Sequence, residues 1–179
     1  MLTLENSILL VVDIQEKLLP AMYNQKEIEE NTARMIRIAD IISLPVVITE
    51  QYPRGLGPTV KGIMSAFENN DVPIIEKTSF GALREERVIR VLSGKKSVLL
   101  CGIESHVCVC QTGQELLEKG WEVHVLSDCA GSRKESNHQL GLRRLERAGA
   151  VVTGVEMAAF ELMKTSKHPG FRQVSSLIK

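Results

Sequence analysis

Ile8-Leu9-Leu10-Val11-Val12-Asp13 is the stretch that decides the fold. Five apolar residues run without a polar break and stop at a carboxylate. A strand with one wet face would alternate apolar and polar residues, and a run this short does not make a helix. The segment therefore reads as a strand buried on both faces, as in a parallel sheet. The pattern recurs in Pro45-Val46-Val47-Ile48-Thr49, Val72-Pro73-Ile74-Ile75-Glu76, Ser97-Val98-Leu99-Leu100-Cys101, Glu122-Val123-His124-Val125-Leu126 and Ala150-Val151-Val152-Thr153.

Helical periods fill the gaps. Residues 27–42 align Ile28, Met35, Ile38, Ala39 and Ile42 on one stripe, with Ile36 beside it. Residues 83–92 align Val88, Ile89 and Leu92; residues 107–117 align Val107, Cys110, Gly113 and Leu117, with Gly120 as a stop; residues 136–148 align Leu142, Leu145 and Ala148 before Gly149. Strands alternating with helices require right-handed crossovers. The expectation is one α/β domain over 1–179, an open six-stranded parallel sheet of Rossmann-like, three-layer αβα build with helices on both faces. Residues 50–66, with Pro53, Pro58, Gly55 and Gly57 and no clean period, read as a loop; the tail 168–179 carries Phe171, Val174, Leu177 and Ile178 at helical spacing and is expected to dock.

Composition narrows the function classes. The apolar fraction is 44%, and 22 Lys and Arg balance 22 Asp and Glu. A balanced chain has no overall field to attract nucleic acid or an anionic membrane. No run approaches the roughly 18–20 apolar residues that cross a bilayer, and no secretory pattern precedes Ile8, so the chain reads as soluble and cytoplasmic. Its four cysteines, Cys101, Cys108, Cys110 and Cys129, have no zinc-knuckle spacing. No HxxxH, HExxH or Asp-x-His pattern, P-loop or complete dinucleotide turn is present, so neither a metal nor a cofactor is expected.

In an open parallel sheet, ligands bind beyond the carboxyl ends of the strands. That rule selects Asp13 and Gln15, then Glu50 and Gln51, then Glu76, Lys77 and Ser79, then the segment from Cys101 to Cys108, then Ser127 and Asp128. Cys108 follows a strand and Gly102, at the start of a helix. Free N–H groups and the helix dipole there would lower its pKa and hold an oxyanion; the competing reading is a small packing residue. Asp13 reads equally as a turn anchor, and Lys77 as a solvated strand end. Both gain weight because they converge with a thiol. His106, two residues before Cys108, points away from it and reads as a pocket or surface residue. His124 inside a strand and His138 on a polar helix face read as structural, and Tyr52, Leu56 and Phe80 are candidate apolar walls.

Leu10-Val11-Val12-Asp13-Ile14-Gln15, Glu76-Lys77-Thr78-Ser79-Phe80, Cys101-Gly102-Ile103-Glu104-Ser105-His106-Val107-Cys108-Val109, Gly120 and Val123-His124-Val125-Leu126-Ser127-Asp128 occur in an order that resembles the isochorismatase-like cysteine hydrolase family. The likeness covers nearly the whole chain. Thr49-Glu50-Gln51-Tyr52-Pro53 and Gly55-Leu56-Gly57-Pro58-Thr59 make it similar to the isochorismatase domain-containing subgroup. The resemblance implies an Asp–Lys–Cys triad at Asp13, Lys77 and Cys108, a covalent intermediate on the cysteine, and a cis peptide at Ile103–Glu104 beside the oxyanion site. It places Ile103 and Glu104 at the oxyanion site and implies a homo-oligomer, a dimer or larger; Gln15 from the strand-end reading and Tyr52 and Phe80 as candidate walls complete the expected surroundings of a small-molecule substrate. Glu50-Gln51-Tyr52 replaces the Asp-x-His metal cluster of nicotinamidase relatives, which argues against nicotinamide. The leading expectation is hydrolysis of a small amide, carbamoyl compound or related ester. The alternatives are a non-catalytic oligomeric scaffold, or a thiol redox sensor pairing Cys108 with Cys110 or Cys101.

Overall fold

A computed structural model describes residues 1–68 and 72–179. Six strands, β1 (Ser7–Val12), β2 (Val46–Gln51), β3 (Ile74–Lys77), β4 (Ser97–Ile103), β5 (Glu122–Gly131) and β6 (Val151–Thr153), form one sheet in the order β3-β2-β1-β4-β5-β6, every pair parallel. The helices are α1 (Gln25–Ile42), α2 (Pro53–Leu56), α3 (Lys61–Met64), α4 (Glu86–Leu92), α5 (Cys108–Glu118), α6 (Glu135–Arg147), α7 (Val155–Met163) and α8 (Phe171–Ile178).

The unbroken apolar runs have the expected cause. Every residue of β1 is buried. Leu9 and Val11 face a core shared with Ile28, Met35 and Ile38 of α1, Ala158 and Leu162 of α7 and Val174 of α8. Ile8, Leu10 and Val12 face a second core with Val88 of α4, Val109 and Leu116 of α5 and Leu145 of α6. Two covered faces make the three layers.

Two expectations need correction. Residues 50–66 are not a plain loop: β2 runs on to Gln51, and α2 and α3 each add a single helical turn. The helix expected from Leu83 is a 3-10 turn at Ala82–Arg84 followed by the shorter α4. Beyond these, Val155–Met163 is helical. It buries Val155, Ala158, Ala159, Leu162 and Met163 on one stripe, but its exposed side carries Met157 and Phe160 as well as Glu156, so the polar contrast that marks a helix is weak. The tail docks as α8, with Val174 fully buried. Among the described residues no helix is long and apolar enough to cross a membrane.

The strand order reverses between β1 and β4. Chain order steps outward from β1 to β2 and β3 on one side, and from β4 to β5 and β6 on the other. A crevice opens at such a switch point, beyond the strand carboxyl ends. Register sets its depth: Val12 lies opposite both Thr49 and Gly102, and Gln51 opposite Lys77. Gly102 has φ +122°, and a Cβ there would sit 2.0 Å from the Val12 carbonyl oxygen, so only glycine fits.

Candidate active site

Asp13 is the first residue beyond β1, with φ 56°, in the left-handed region that Asp tolerates better than most residues. The turn drives its carboxyl into the crevice, where it is fully buried. Its Oδ1 accepts a hydrogen bond from Thr49 Oγ1 at 2.8 Å, and its Oδ2 accepts one from Lys77 Nζ at 2.6 Å. Burial pushes the carboxyl above the ordinary Asp range, against the opposing pull of Lys77 and Thr49. A carboxylate raised in this way is a better proton acceptor.

Lys77 ends β3, two strands away from β1, and its side chain reaches past the end of β2 to Asp13. It is 2% exposed, so it is not a solvated strand end. Besides Asp13 the ammonium meets Gln51 Oε1 at 2.7 Å, the Ser79 carbonyl at 3.0 Å and the Phe80 carbonyl at 3.2 Å. These acceptors replace the water that a buried cation would otherwise lose.

Cys108 is the first residue of α5 and is 7% exposed. β4 ends at Ile103, and the Ile103–Glu104 peptide bond is cis. The expected low-pKa thiol is corrected here. Burial and the charge of Asp13 push the thiol up to about 12, outweighing Lys77 and a backbone hydrogen bond from Glu104, which both favour the thiolate. A helix start stabilises a thiolate only where water or a cation offsets desolvation, and here a carboxylate stands closer. Iodoacetamide labelling of Cys108 is therefore expected to be slower at about pH 8.5 than that of an ordinary thiol, and to rise steadily to about pH 10. Peptide mapping by mass spectrometry measures it, and a plateau near neutral pH would contradict this electrostatic picture.

The remaining expected residues divide. Gln15 is fully buried, and its amide is engaged by backbone: Nε2 donates to the Gln51 carbonyl at 3.0 Å and the Gly57 carbonyl at 2.6 Å, and Oε1 accepts from Gln51 N–H at 2.7 Å. It braces the chain leaving β2. Glu104 turns its carboxylate outward to the backbone N–H and the Nε of Arg133, at 3.1 and 3.2 Å, so only its backbone faces Cys108. Ile103 is buried. Tyr52 and Phe80 are each 55% exposed, on the segments that surround Lys77. Tyr52, at φ 38°, donates its N–H to the Lys77 carbonyl at 2.9 Å. Glu50 is buried in β2 and accepts from the N–H and hydroxyl of Thr59 at 2.6 and 2.7 Å.

Two members of the cluster owe their place to strand register. Thr49 sits among apolar strand residues, yet parallel pairing puts it beside Val12 and its hydroxyl on Asp13. Gln51, noticed only as a strand-end residue, links Gln15 to Lys77. The register of β1, β2 and β3 is the signal that finds both.

The histidines stand apart from the thiol. His106 Nδ1 lies 3.0 Å from Ser132 Oγ, and its Nε2 is 3.4 Å from Asn137 Nδ2. His138 is not on a polar face: it is buried, 2.8 Å from Ser105 Oγ, and burial lowers its pKa. His124 is buried in β5, and burial lowers its pKa as well. Cys101 and Cys129 are completely buried, with their thiols pushed upward; Cys110 Sγ lies 3.8 Å from Gln114 Oε1.

Comparison with known proteins bears on this arrangement. The isochorismatase domain model matches residues 7–157, which include Asp13, Lys77 and Cys108. The chain is similar to the secreted isochorismatase effector Isc1 of Phytophthora sojae (strain P6497), 39% identical over 178 residues, covering 97% of this chain and 85% of that protein. It is also similar to isochorismatase domain-containing protein 2 of Rattus norvegicus, 37% identical over 176 residues, covering 98% and 82%. Among solved structures, the MAR1 ribonuclease of Caenorhabditis elegans superposes with a TM-score of 0.95 at 38% identity, covering 99% of this chain and 91% of that one. A six-stranded parallel sheet in this strand order, a family match over most of its length and full-length relatives well above 30% identity lead to one conclusion: the chain belongs to the isochorismatase domain family.

Proposed function

We propose that this protein is a cysteine hydrolase acting on a small amide, carbamoyl compound or related ester, with Cys108 as nucleophile, Asp13 as proton acceptor and Lys77 as its charge partner. The observation that carries the reading is the sealed contact of ammonium and carboxylate beside a thiol at the sheet's switch point. Loss of the thiol proton to solvent would leave a thiolate stripped of water and set a second negative charge beside Asp13, and together these push the thiol up to about 12. Transfer of that proton to Asp13 leaves the net charge of the buried site unchanged, so the two processes differ greatly in cost.

In the proposed cycle Cys108 Sγ attacks the substrate carbonyl carbon while its proton passes to Asp13. The carbonyl oxygen becomes an oxyanion beside the Cys108 backbone N–H, which has no acceptor among the described residues. Asp13 returns the proton to the departing nitrogen or oxygen, leaving an acyl group on sulfur. Water then attacks this intermediate, giving its proton to Asp13, and Cys108 leaves as the thiol. Lys77 keeps Asp13 ionised between steps. Gln15 and Gln51 hold the chain around it, and Tyr52 and Phe80 stand at the rim as apolar contacts for the substrate. Exposed Leu140, Val151, Met157 and Phe160 support association into a homo-oligomer.

A panel of small primary amides, carbamoyl compounds and esters tests the reading, with intact-mass spectrometry following the protein during turnover. Because the C. elegans relative is named a ribonuclease, the panel includes a single-stranded oligoribonucleotide. Release of the amine or alcohol together with an acyl mass increment on Cys108 is expected. Turnover of RNA alone, or hydrolysis with no increment on any slow substrate, would overturn the proposal.

A further inference from the structure

Cys108 opens α5, and Thr112 and Glu115 follow it one and two turns later on the same helix. Both grip the segment that holds Lys77. The fully buried Thr112 hydroxyl accepts a hydrogen bond from Ala82 N–H at 3.0 Å. Glu115 Oε2 accepts one from Leu83 N–H at 3.2 Å, and its Oε1 meets Arg84 Nε at 3.2 Å. Gly81 packs so tightly on this carboxylate that a Cβ there would lie 2.3 Å from Oε2. Immediately before Gly81, the carbonyls of Ser79 and Phe80 receive Lys77 Nζ, and Ser79 Oγ donates to the Gly81 carbonyl at 2.9 Å.

These contacts close a ring. It runs from Cys108 along α5 to Thr112 and Glu115, through residues 79–83 to the Lys77 ammonium, to the Asp13 carboxylate and back to the sulfur. We propose that Thr112 and Glu115 are positioning residues that fix the Lys77 ammonium relative to Cys108 by holding the Ser79 and Phe80 carbonyls against the nucleophile's own helix. The proposal rests on the reading that Lys77 supports the Cys108 thiolate. Without the Ala82–Thr112 bond, a buried N–H has no acceptor and the carbonyl cradle loosens. The exposed Arg84 side chain adds little, so the Leu83 N–H is the working contact of Glu115.

The test uses the full-length protein and iodoacetamide at about pH 9, where an ordinary thiol is mostly ionised. The rate at Cys108 is divided by the rate at Cys110 in the same molecule, so that general loosening of α5 cancels. Thr112→Val is expected to lower this ratio about tenfold, the effect of one misplaced charge on a buried thiol, and Thr112→Ser to restore it. Glu115→Gln gives a smaller fall in the same direction and serves if Thr112→Val does not fold. In a Lys77→Met background, Thr112→Val should have no further effect, because it acts through the ammonium. A ratio unchanged in Thr112→Val and Glu115→Gln, or a full additional loss in the Lys77→Met background, overturns the positioning role alone. A ratio unchanged by Lys77→Met itself overturns the role assigned to Lys77 as well.

Discussion

Cys108→Ser is expected to reduce hydrolysis of any substrate in the amide panel by at least ~10³-fold while leaving thermal stability close to that of the parent protein. Serine is smaller than cysteine and fits a site only 7% exposed, so little packing is lost. The chemistry does not survive the change. A hydroxyl holds its proton more tightly than a thiol, and the base beside it is a carboxylate, which even when raised by burial is a weak base for that task. No imidazole is in place to help, since His106 is turned to Ser132 and Asn137. Cys110→Ser, two residues further on, should keep activity within about twofold, because a nearly isosteric change outside the reacting atoms is mild. Steady-state rates on one panel substrate decide between the two. Activity within tenfold of the parent in Cys108→Ser would remove the nucleophile from the mechanism.

Lys77→Met should destabilise the fold by about 3–5 kcal/mol and also abolish turnover, since it leaves the Asp13 carboxylate buried with one neutral donor in place of a cation. Met fills much of the lysine's volume, so the loss is electrostatic rather than a cavity. The double variant Asp13→Asn/Lys77→Met should recover part of the stability and none of the activity. That separates the folding cost of the buried pair from its chemical use.

The pH dependence has a definite sign. Burial raises the folded pKa of Asp13 above its unfolded value. Its contribution to stability is therefore full below the unfolded pKa and is lost as pH rises through the folded one. Removing Lys77 raises the folded value further, so the stability gap between Lys77→Met and the parent should narrow as pH falls from about 7 towards 5. Denaturant melts at both pH values measure it. A gap that widens on acidification would mean that Asp13 is not the group left uncompensated.

How far each feature was legible follows from the range of the interaction that creates it. β1 could be read from five consecutive residues because burial on two faces suppresses alternation, and α1 because its stripe faces a single core. α7 was harder to read, since its exposed side carries the apolar Met157 and Phe160 beside Glu156 and so contrasts little with the buried stripe of Val155, Ala158, Ala159, Leu162 and Met163. α5 was read from one stripe through Val107, Cys110, Gly113 and Leu117, whereas Cys108, Thr112 and Leu116 are the residues buried on its other inner side. The periodicity found the helix and missed the face that grips residues 82–83.

The amino-acid sequence by itself determined the alternation of strands and helices, and hence which residues stand at the carboxyl ends of the strands. Asp13, Lys77 and Cys108 became candidates for that reason, because strand and helix periods are written in neighbouring residues. Only the tertiary structure decided that Lys77 crosses the end of β2 to reach Asp13, that Thr49 and Gln51 join them, and that the thiol is pushed up rather than down. Those outcomes depend on desolvation and on charges brought together from segments as far apart as 64 residues, and a local pattern carries no record of either.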